Sequence, residues 1–224
     1  MARICMVAFT HYSTDTRVRR EAEALADRGD EVDVLCLIEE GRENIQMLNG
    51  VRLHQLPISR YRGSSALTYL LKYAFFFLAS SFWLNYLHLK KHYQVIQVHT
   101  MPDFMVFVTL LPKLLGAKVI LDVHDLMPEL YQSKFGLKRY HWLIRLITWM
   151  ERRSVGFAHR AIAVHRPHLD TLVRHGNPEE KFIILLNLPD PKVFSRRSRA
   201  GLSSDGHFRL VYHGTVARRH GQKG

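Results

Sequence analysis

Histidines stand at the ends of three apolar segments that the sequence predicts to be buried strands. His11, His99 and His124 each lie at the end of such a segment or within two residues of it. In an open parallel sheet, ligands bind at the carboxyl ends of the strands. We therefore expect the three imidazoles to lie along one edge of a sheet, where they can hold a ligand or exchange protons near neutral pH.

His124 is the strongest candidate for chemistry among these histidines. Asp122, Asp125 and Glu129 lie close to it in the sequence, and a neighbouring carboxylate can orient an imidazole and fix its tautomer. A less specific interpretation stays open, because His124 followed by Asp125 also fits the N-cap of a helix.

The other two histidines also have structural interpretations. His11 fits a polar turn, and His99 fits a half-buried side chain that bonds to the backbone. A zinc site built from three histidines lacks support, because neither a cysteine pair nor a His-Glu-x-x-His motif accompanies them. We therefore predict that the protein needs no metal.

Arg17 begins a predicted helix after the first strand, where it can meet an anion held near the helix N-terminus. Arg19 and Arg20 fit a solvated basic face equally well. The sequence has no G-x-G-x-x-G motif and no Walker loop. Nicotinamide, flavin and P-loop nucleotide sites therefore lack their sequence signature.

Apolar segments alternate with helical patterns along most of the chain. Short strands joined by helices predict a doubly wound, parallel, Rossmann-like α/β sheet. The predicted strands are 4–9, 32–38, 51–56, 94–99, 118–123, 160–164 and 182–186, and the predicted helices are 15–28, 66–89, 103–115, 140–157 and 167–175.

The predicted helix 66–89 carries no Asp, Glu, Lys or Arg between Tyr73 and Leu89. Three interpretations compete. We favour a helix that packs on the sheet and leaves aromatic side chains free for peripheral membrane contact. A fully buried helix is the second. A transmembrane span is the third, and it conflicts with the return of 95–98 to the same sheet.

The chain has 32 Lys and Arg against 20 Asp and Glu, a net charge of +12. Such a surface favours anionic partners. We predict no nucleic-acid partner, because no recognised binding motif accompanies the charge. The start of the chain does not resemble a signal peptide, and the two cysteines fit reduced core thiols, so we expect a cytoplasmic protein.

The composition changes near the C-terminus. Residues 1–190 form the predicted Rossmann-like domain, and 191–207 are rich in Ser, Arg and Gly, as in a linker. Residues 208–224 contain one more strand and a basic loop, which we interpret as the stub of a second domain. The backbone N–H groups and an arginine of this loop suit binding of a diphosphate.

Five segments together resemble glycosyltransferase family 4, and their order agrees with that family. They are 15–22 (DTRVRREA), 99–104 (HTMPDF), 121–129 (LDVHDLMPE), 187–191 (NLPDP) and 211–221 (VYHGTVARRHG). The resemblance implies a GT-B fold, in which an N-terminal acceptor domain faces a C-terminal domain that binds a nucleotide-sugar. It also implies retaining transfer without a metal, with the nucleotide-sugar as a co-substrate and no other cofactor.

The resemblance assigns roles to single residues. His124 would sit beside the transferred sugar, and Gly214 and Arg219 would bind the donor diphosphate. The residues matched to the acceptor side are Thr10, His11, Arg17, His99, Asp103, Asp125 and Glu129. Two departures stand out: the loop 11–14 has no glycine, and the family's paired glutamates are missing because the donor domain only begins here.

We therefore expect a chain truncated at the start of its donor domain, which transfers sugar weakly or not at all by itself. Its acceptor would be a glycan or a lipid-linked sugar in cell-envelope or exopolysaccharide synthesis, at the inner face of the plasma membrane. The alternative is a non-catalytic module that binds an acceptor or a membrane and complements a separate donor-domain half.

Overall fold

The computed structural model describes residues 1–39, 41, 43–59 and 66–188. The predicted linker 191–207 and the stub 208–224, with Gly214 and Arg219, lie outside the described residues. So do the last two residues of the predicted first domain, 189 and 190.

The described chain forms one eight-stranded sheet, in the order β3-β4-β2-β1-β5-β6-β7-β8. Every pairing is parallel except that of β3 with β4. This confirms the predicted doubly wound α/β fold. The strands are β1 (Arg3–Val7), β2 (Glu31–Leu37), β3 (Ile45–Leu48), β4 (Val51–Leu56), β5 (Val95–His99), β6 (Lys118–Val123), β7 (Arg160–Ala163) and β8 (Phe182–Ile184).

The helices connect these strands on both faces of the sheet. They are α1 (Thr16–Asp27), α2 (Ala66–Lys91), α3 (Leu110–Leu114), α4 (Met127–Phe135), α5 (Trp142–Phe157) and α6 (Arg166–Arg174), with 3-10 helices at Asp103–Thr109 and Glu179–Lys181.

Alternate residues of each strand face opposite layers. In β1, Met6 packs with α1 residues, whereas Cys5 and Val7 pack with α2 residues. Because Met6 pairs in register with Gln97, Gln97 and its alternate neighbour His99 lie on the face that carries α1. Among the described residues, α1 packs on this face, whereas α2, α5 and α6 pack on the other one.

The two cysteines are buried and free, as the sequence predicted for core thiols. Burial raises the pKa of both thiols, to about 12 for Cys36 and well above the usual thiol value for Cys5.

The antiparallel edge strand β3 was missed by the sequence analysis. It joins β4 through Asn49 and Gly50, which both have positive φ angles (48° and 78°). This is the backbone of a two-residue hairpin turn, for which Asn-Gly is the preferred sequence. The strand has only four residues, and its apolar Ile45 and Met47 are exposed on the sheet edge, but the Asn-Gly pair could have revealed it.

Two helical regions differ from the prediction. The segment predicted as one helix, 103–115, begins as a 3-10 helix up to Thr109 and continues as the short α3. The helix α4 was not predicted, because its nine residues carry little apolar periodicity. Pro128 in its first turn and Gly136, with a φ of 64° after its last turn, mark its ends.

Asp15 caps the N-terminus of α1, as predicted. Its carboxylate accepts hydrogen bonds from the backbone N–H groups of Arg17 and Val18, both at 3.3 Å. We expect Asp15→Ala to lower the free energy of unfolding by about 1 kcal/mol, measured by urea denaturation. Asp15→Ser, which keeps an acceptor oxygen, should stay close to the wild type. Equal losses in both variants would show that the cap does not stabilise α1.

The aromatic helix α2 packs on the sheet and exposes its outer face. Phe76 and Leu84 are fully buried, whereas Phe75 and Phe82 are 56% and 67% exposed. The favoured interpretation of its packing is therefore correct, and the fully buried helix is wrong. Among the described residues, no helix has both the length and the apolar character needed to cross a bilayer.

Candidate active site

The carboxyl ends of β5 and β6 bring His99, Asp122 and His124 into contact. His99 pairs in register with Asp122 on the neighbouring strand. The Asp122 carboxylate oxygens lie 3.0 Å from His99 Nδ1 and 3.2 Å from His124 Nδ1. His99 Nδ1 and His124 Nε2 are 3.2 Å apart. The sequence prediction that His99 and His124 meet at one sheet edge is therefore confirmed.

Thr100 fixes the ends of the two strands against each other. Its backbone N–H donates to the carbonyl of Asp122 at 3.0 Å, and its Oγ1 accepts from the backbone N–H of His124 at 3.0 Å. The backbone positions from which both imidazoles project are thus set by the sheet rather than by a free loop. Such a rigid support suits a site whose geometry must be held closely.

The charge at this site is set by competition between burial and pairing. Burial by itself would raise the pKa of Asp122, but His124 and His99 outweigh it and hold that pKa well below its usual range. Burial lowers the pKa of His124 more strongly than the Asp122 carboxylate raises it, and His99 and Arg17 lower it further. At neutral pH the site therefore contains an ionised carboxylate beside a neutral His124 ring.

Polar side chains from α1 complete this face of the sheet. Gln97, on β5, donates to Glu21 Oε2 at 2.6 Å. Burial, and then the Asp122 charge, raise the pKa of Glu21. Arg17, Glu21 and Asp122 line a cavity of about 400 Å³ between α1 and the ends of β7 and β8. Arg17 Nε is buried and has no hydrogen-bond partner among the described residues, so a ligand in this cavity can accept a hydrogen bond from it.

The same cluster has the donor types that a divalent metal uses. His99, Asp122 and His124 each offer one ligand atom, and these atoms lie within 4.8 Å of one another. Two imidazoles and one carboxylate suit zinc or a similar ion. The absence of a metal requirement remains a prediction from the sequence.

Thr10 and His11 follow β1 at the same rim. Leu37, at the end of β2, donates its backbone N–H to the Thr10 carbonyl at 2.9 Å. His11 Nδ1 is buried without a hydrogen-bond partner among the described residues. No contact joins His11 to His99 or His124 in the described part of the chain, so two of the three predicted histidines form the cluster.

Glu129 belongs to a different cluster from His124. Its Oε1 lies 2.9 Å from His175 Nε2, and His175 Nδ1 lies 3.0 Å from the buried carboxylate of Glu151. Burial acts to lower the pKa of His175, but Glu151 and then Glu129 outweigh it and raise that pKa. Asn177 donates to Glu151 at 2.7 Å.

Asp103 lies beneath the rim, in the 3-10 helix that follows β5. It is buried, and its Oδ1 has no hydrogen-bond partner among the described residues. Burial, and then the charges of Glu151 and Asp125, raise the pKa of Asp103 to about 7. Asp125 itself is exposed at the rim. The acceptor roles assigned to both residues by resemblance stay predictions.

Sequence reasoning did not place Glu21, Gln97, Glu151 or His175 near these clusters. Gln97 carried a usable signal, because a polar residue inside an otherwise apolar strand points to a partner on one face of the sheet. Glu151 and His175 carried none, because their contact joins residues 24 positions apart, one on α5 and the other just after the end of α6.

Comparison with solved structures shows which fold carries this site. Sucrose-phosphate synthase from Thermosynechococcus elongatus superposes with a TM-score of 0.66 at 15% identity, over 87% of this chain and 50% of that chain. The glycotransferase of kitacinnamycin gives a TM-score of 0.52 at 12% identity, over 89% and 54%. Anabaena HepE, in complex with UDP and glucose, gives 0.50 at 14%, over 86% and 46%.

The chain thus has the fold of the N-terminal half of GT-B glycosyltransferases, and it spans about half the length of these three proteins. A search of curated proteins finds no match. A family described as "Glycosyl transferase 4-like domain" matches residues 14–187. That match includes the cluster of His99, Asp122 and His124, and the chain therefore belongs to the glycosyl transferase 4-like domain family.

Proposed function

We propose that this protein is the acceptor-binding part of a retaining, nucleotide-sugar-dependent glycosyltransferase. The observation that carries the proposal is the contact between His99, Asp122 and His124 at the carboxyl edge of the sheet. The ligand-binding edge of an open parallel sheet is the expected position for a catalytic group. HepE, whose structures contain UDP and UDP-glucose, supports a nucleotide-sugar as the donor.

His124 is the proposed catalytic residue. A neutral imidazole whose orientation is held by Asp122 can hydrogen bond to a sugar hydroxyl without adding charge to the site. Thr10, His11, Arg17, His99, Asp103, Asp125 and Glu129 are proposed to serve the acceptor side. Gly214 and Arg219 are proposed to bind the donor diphosphate, which would stabilise the leaving group without a metal or other cofactor.

Because the chain spans about half the length of its structural neighbours, we propose that a donor-binding half works with it. A cleft between two lobes would align donor and acceptor and exclude water. This lobe by itself is then expected to bind acceptor but to transfer sugar weakly or not at all.

The exposed face of α2 supports a lipid-linked acceptor in cell-envelope or exopolysaccharide synthesis. Its large exposed side chains include Phe75, Leu78, Phe82 and Trp83, and α2 contains no acidic residue. Such a face suits shallow insertion into a bilayer. We propose a cytoplasmic protein that binds the inner face of the plasma membrane through this helix.

The second candidate is a non-catalytic module that binds an acceptor or a membrane, alone or beside a separate donor half. The exposed α2 face favours it equally, because membrane binding needs no donor site. The two candidates differ in whether His124 affects the transfer of sugar.

A transfer assay with labelled UDP-glucose and a bacterial lipid extract, together with NMR, tests the proposed acceptor site and shows whether this chain transfers sugar without a donor half. For the purified chain we expect turnover at the blank level, while NMR shows that the extract perturbs the ring signals of His99 and His124. His124→Ala should remove the perturbation at His99, and His159→Ala, at the opposite end of the sheet, should not. Turnover by the chain alone that His124→Ala abolishes would place the donor site in this lobe. Ring signals that no extract perturbs would contradict an acceptor site.

A further inference from the structure

The outer side of α4 and α5, here called the α4–α5 surface, combines exposed apolar and cationic side chains. Trp142, Leu146 and Trp149 are 68%, 48% and 49% exposed. Their spacing of four and then three residues places them in one stripe along α5. Phe135 and Tyr140, just before α5, are also exposed.

The charged residues of this surface are almost all basic. Residues 130–153 include six Lys and Arg but a single acid, Glu151. Glu151 is buried and bonds to His175 and Asn177. In the part of the chain that the structure describes, Arg145 and Arg152 form no salt bridge. Their positive charges are therefore available to an external anion.

The cationic groups alternate with the aromatic rings. The Arg153 guanidinium lies 5.5 Å from the ring centre of Trp149, and the Lys138 ammonium lies 5.7 Å from that of Tyr140. Aromatic residues and residues with long basic side chains hold proteins at the boundary between lipid headgroups and acyl chains.

A cavity of about 640 Å³ opens beside this stripe. Arg139, Arg145, Arg152 and Arg174 line it together with Glu129 and His175. Glu129 is already paired with His175 at 2.9 Å, which leaves four guanidinium groups around one depression. A guanidinium group binds phosphate through two parallel hydrogen bonds, so the cavity suits a phosphate-bearing headgroup.

We propose that the α4–α5 surface docks on an anionic lipid bilayer, with the headgroup phosphate in the arginine-lined cavity and Trp142, Leu146 and Trp149 in the interface. The aliphatic Leu146 and the aromatic stripe favour a bilayer over a free phosphate ion or a nucleic acid. The helices α2 and α5 pack on the same face of the sheet, so the apolar face of α2 can meet the same membrane. This docking rests on the membrane contact proposed above for α2 and adds a second surface to it, but it does not depend on sugar transfer.

Vesicle flotation with the full chain tests the proposal. Vesicles of phosphatidylcholine, with and without phosphatidylglycerol, separate the apolar contribution from the electrostatic one. We expect the wild type to bind the anionic vesicles at least tenfold more tightly. Arg145→Gln/Arg152→Gln should remove most of that preference. Arg3→Gln/Arg28→Gln, an equal charge change on exposed arginines away from the α4–α5 surface, should keep it.

Two further variants separate the apolar contribution of α5 to vesicle binding from that of α2. Trp142→Ser/Trp149→Ser should weaken binding to anionic vesicles about tenfold or more. Phe75→Ser/Phe82→Ser, on α2, should weaken binding to both vesicle types by the same factor and leave the anionic preference intact. Circular dichroism confirms that each variant is folded before its binding is compared.

Three results would overturn the proposal. Equal losses in the two arginine pairs would mean that net charge, not this surface, attracts the vesicles. Displacement by inorganic phosphate at constant ionic strength would assign the cavity to the free ion. Tighter binding of an RNA oligonucleotide than of anionic vesicles would assign the surface to nucleic acid.

Discussion

Asp122→Ala is expected to lower the free energy of unfolding by about 3 kcal/mol at pH 7. The carboxylate is 1% exposed and lies between two imidazoles, at 3.0 Å from His99 and 3.2 Å from His124. Its removal leaves two buried rings without the group that orients them, and a void in the sheet face. Chemical denaturation of the variant and the wild type measures the difference.

The pH dependence of this effect has a defined sign. Because the pKa of Asp122 is lowered in the folded state, its contribution to stability is present above the unfolded value of about 3.9 and is lost as the pH falls further. The difference in stability between the wild type and Asp122→Ala should therefore shrink progressively as the pH falls below about 4. Asp122→Asn, which keeps the shape without the charge, should lose less than the alanine variant. A constant difference down to pH 2 would mean that packing rather than charge accounts for the loss.

Asp103→Asn is expected to stabilise the protein by about 3 kcal/mol at pH 8. Asp103 is buried with no partner for Oδ1 among the described residues, and its pKa is raised to about 7. Because the carboxyl pKa is raised in the folded state, Asp103 ionises more readily in the unfolded chain, which loses its proton above about pH 4. The free energy of unfolding of the wild type therefore falls as the pH rises between about pH 4 and pH 7. Asp103→Asn does not lose stability in this range, because its amide does not ionise.

Denaturation curves at several pH values test this directly. The two proteins should have similar stability near pH 4, where both side chains are neutral, and should diverge up to about pH 7. Asp125→Asn is a useful control, because Asp125 is exposed and acts on Asp103 only through its charge. It should give a smaller gain of the same sign. A stability difference that is independent of pH would show that Asp103 is not the titrating group.

Most of the sheet could be predicted from the sequence because its strands are short, strongly apolar and separated by helices. The meeting of His99 and His124 followed from the same reasoning, since both residues end neighbouring parallel strands. Asp122 was recognised only as a neighbour of His124 in sequence. Its position between both rings depends on the register of β5 against β6, which no local pattern contains.

The parts that sequence reasoning missed depend on distant contacts. Glu129 precedes His175 by 46 residues, and nothing in the local sequence of either residue points to the other. The 3-10 helix after β5 is packed between α2 and α5, so tertiary packing rather than propensity decides its geometry. The edge strand β3 is only four residues long, although its Asn-Gly turn was visible.

The reaction of the two free cysteines with an alkylating reagent can report how often the sheet opens. A thiolate, not a thiol, reacts with alkylating reagents, and Cys5 and Cys36 are both buried with raised pKa values in the adjacent central strands β1 and β2. Neither reacts until these strands separate from their surroundings. The rate of alkylation therefore measures how often the strands in the middle of the sheet separate. No cysteine or label has to be introduced for this measurement.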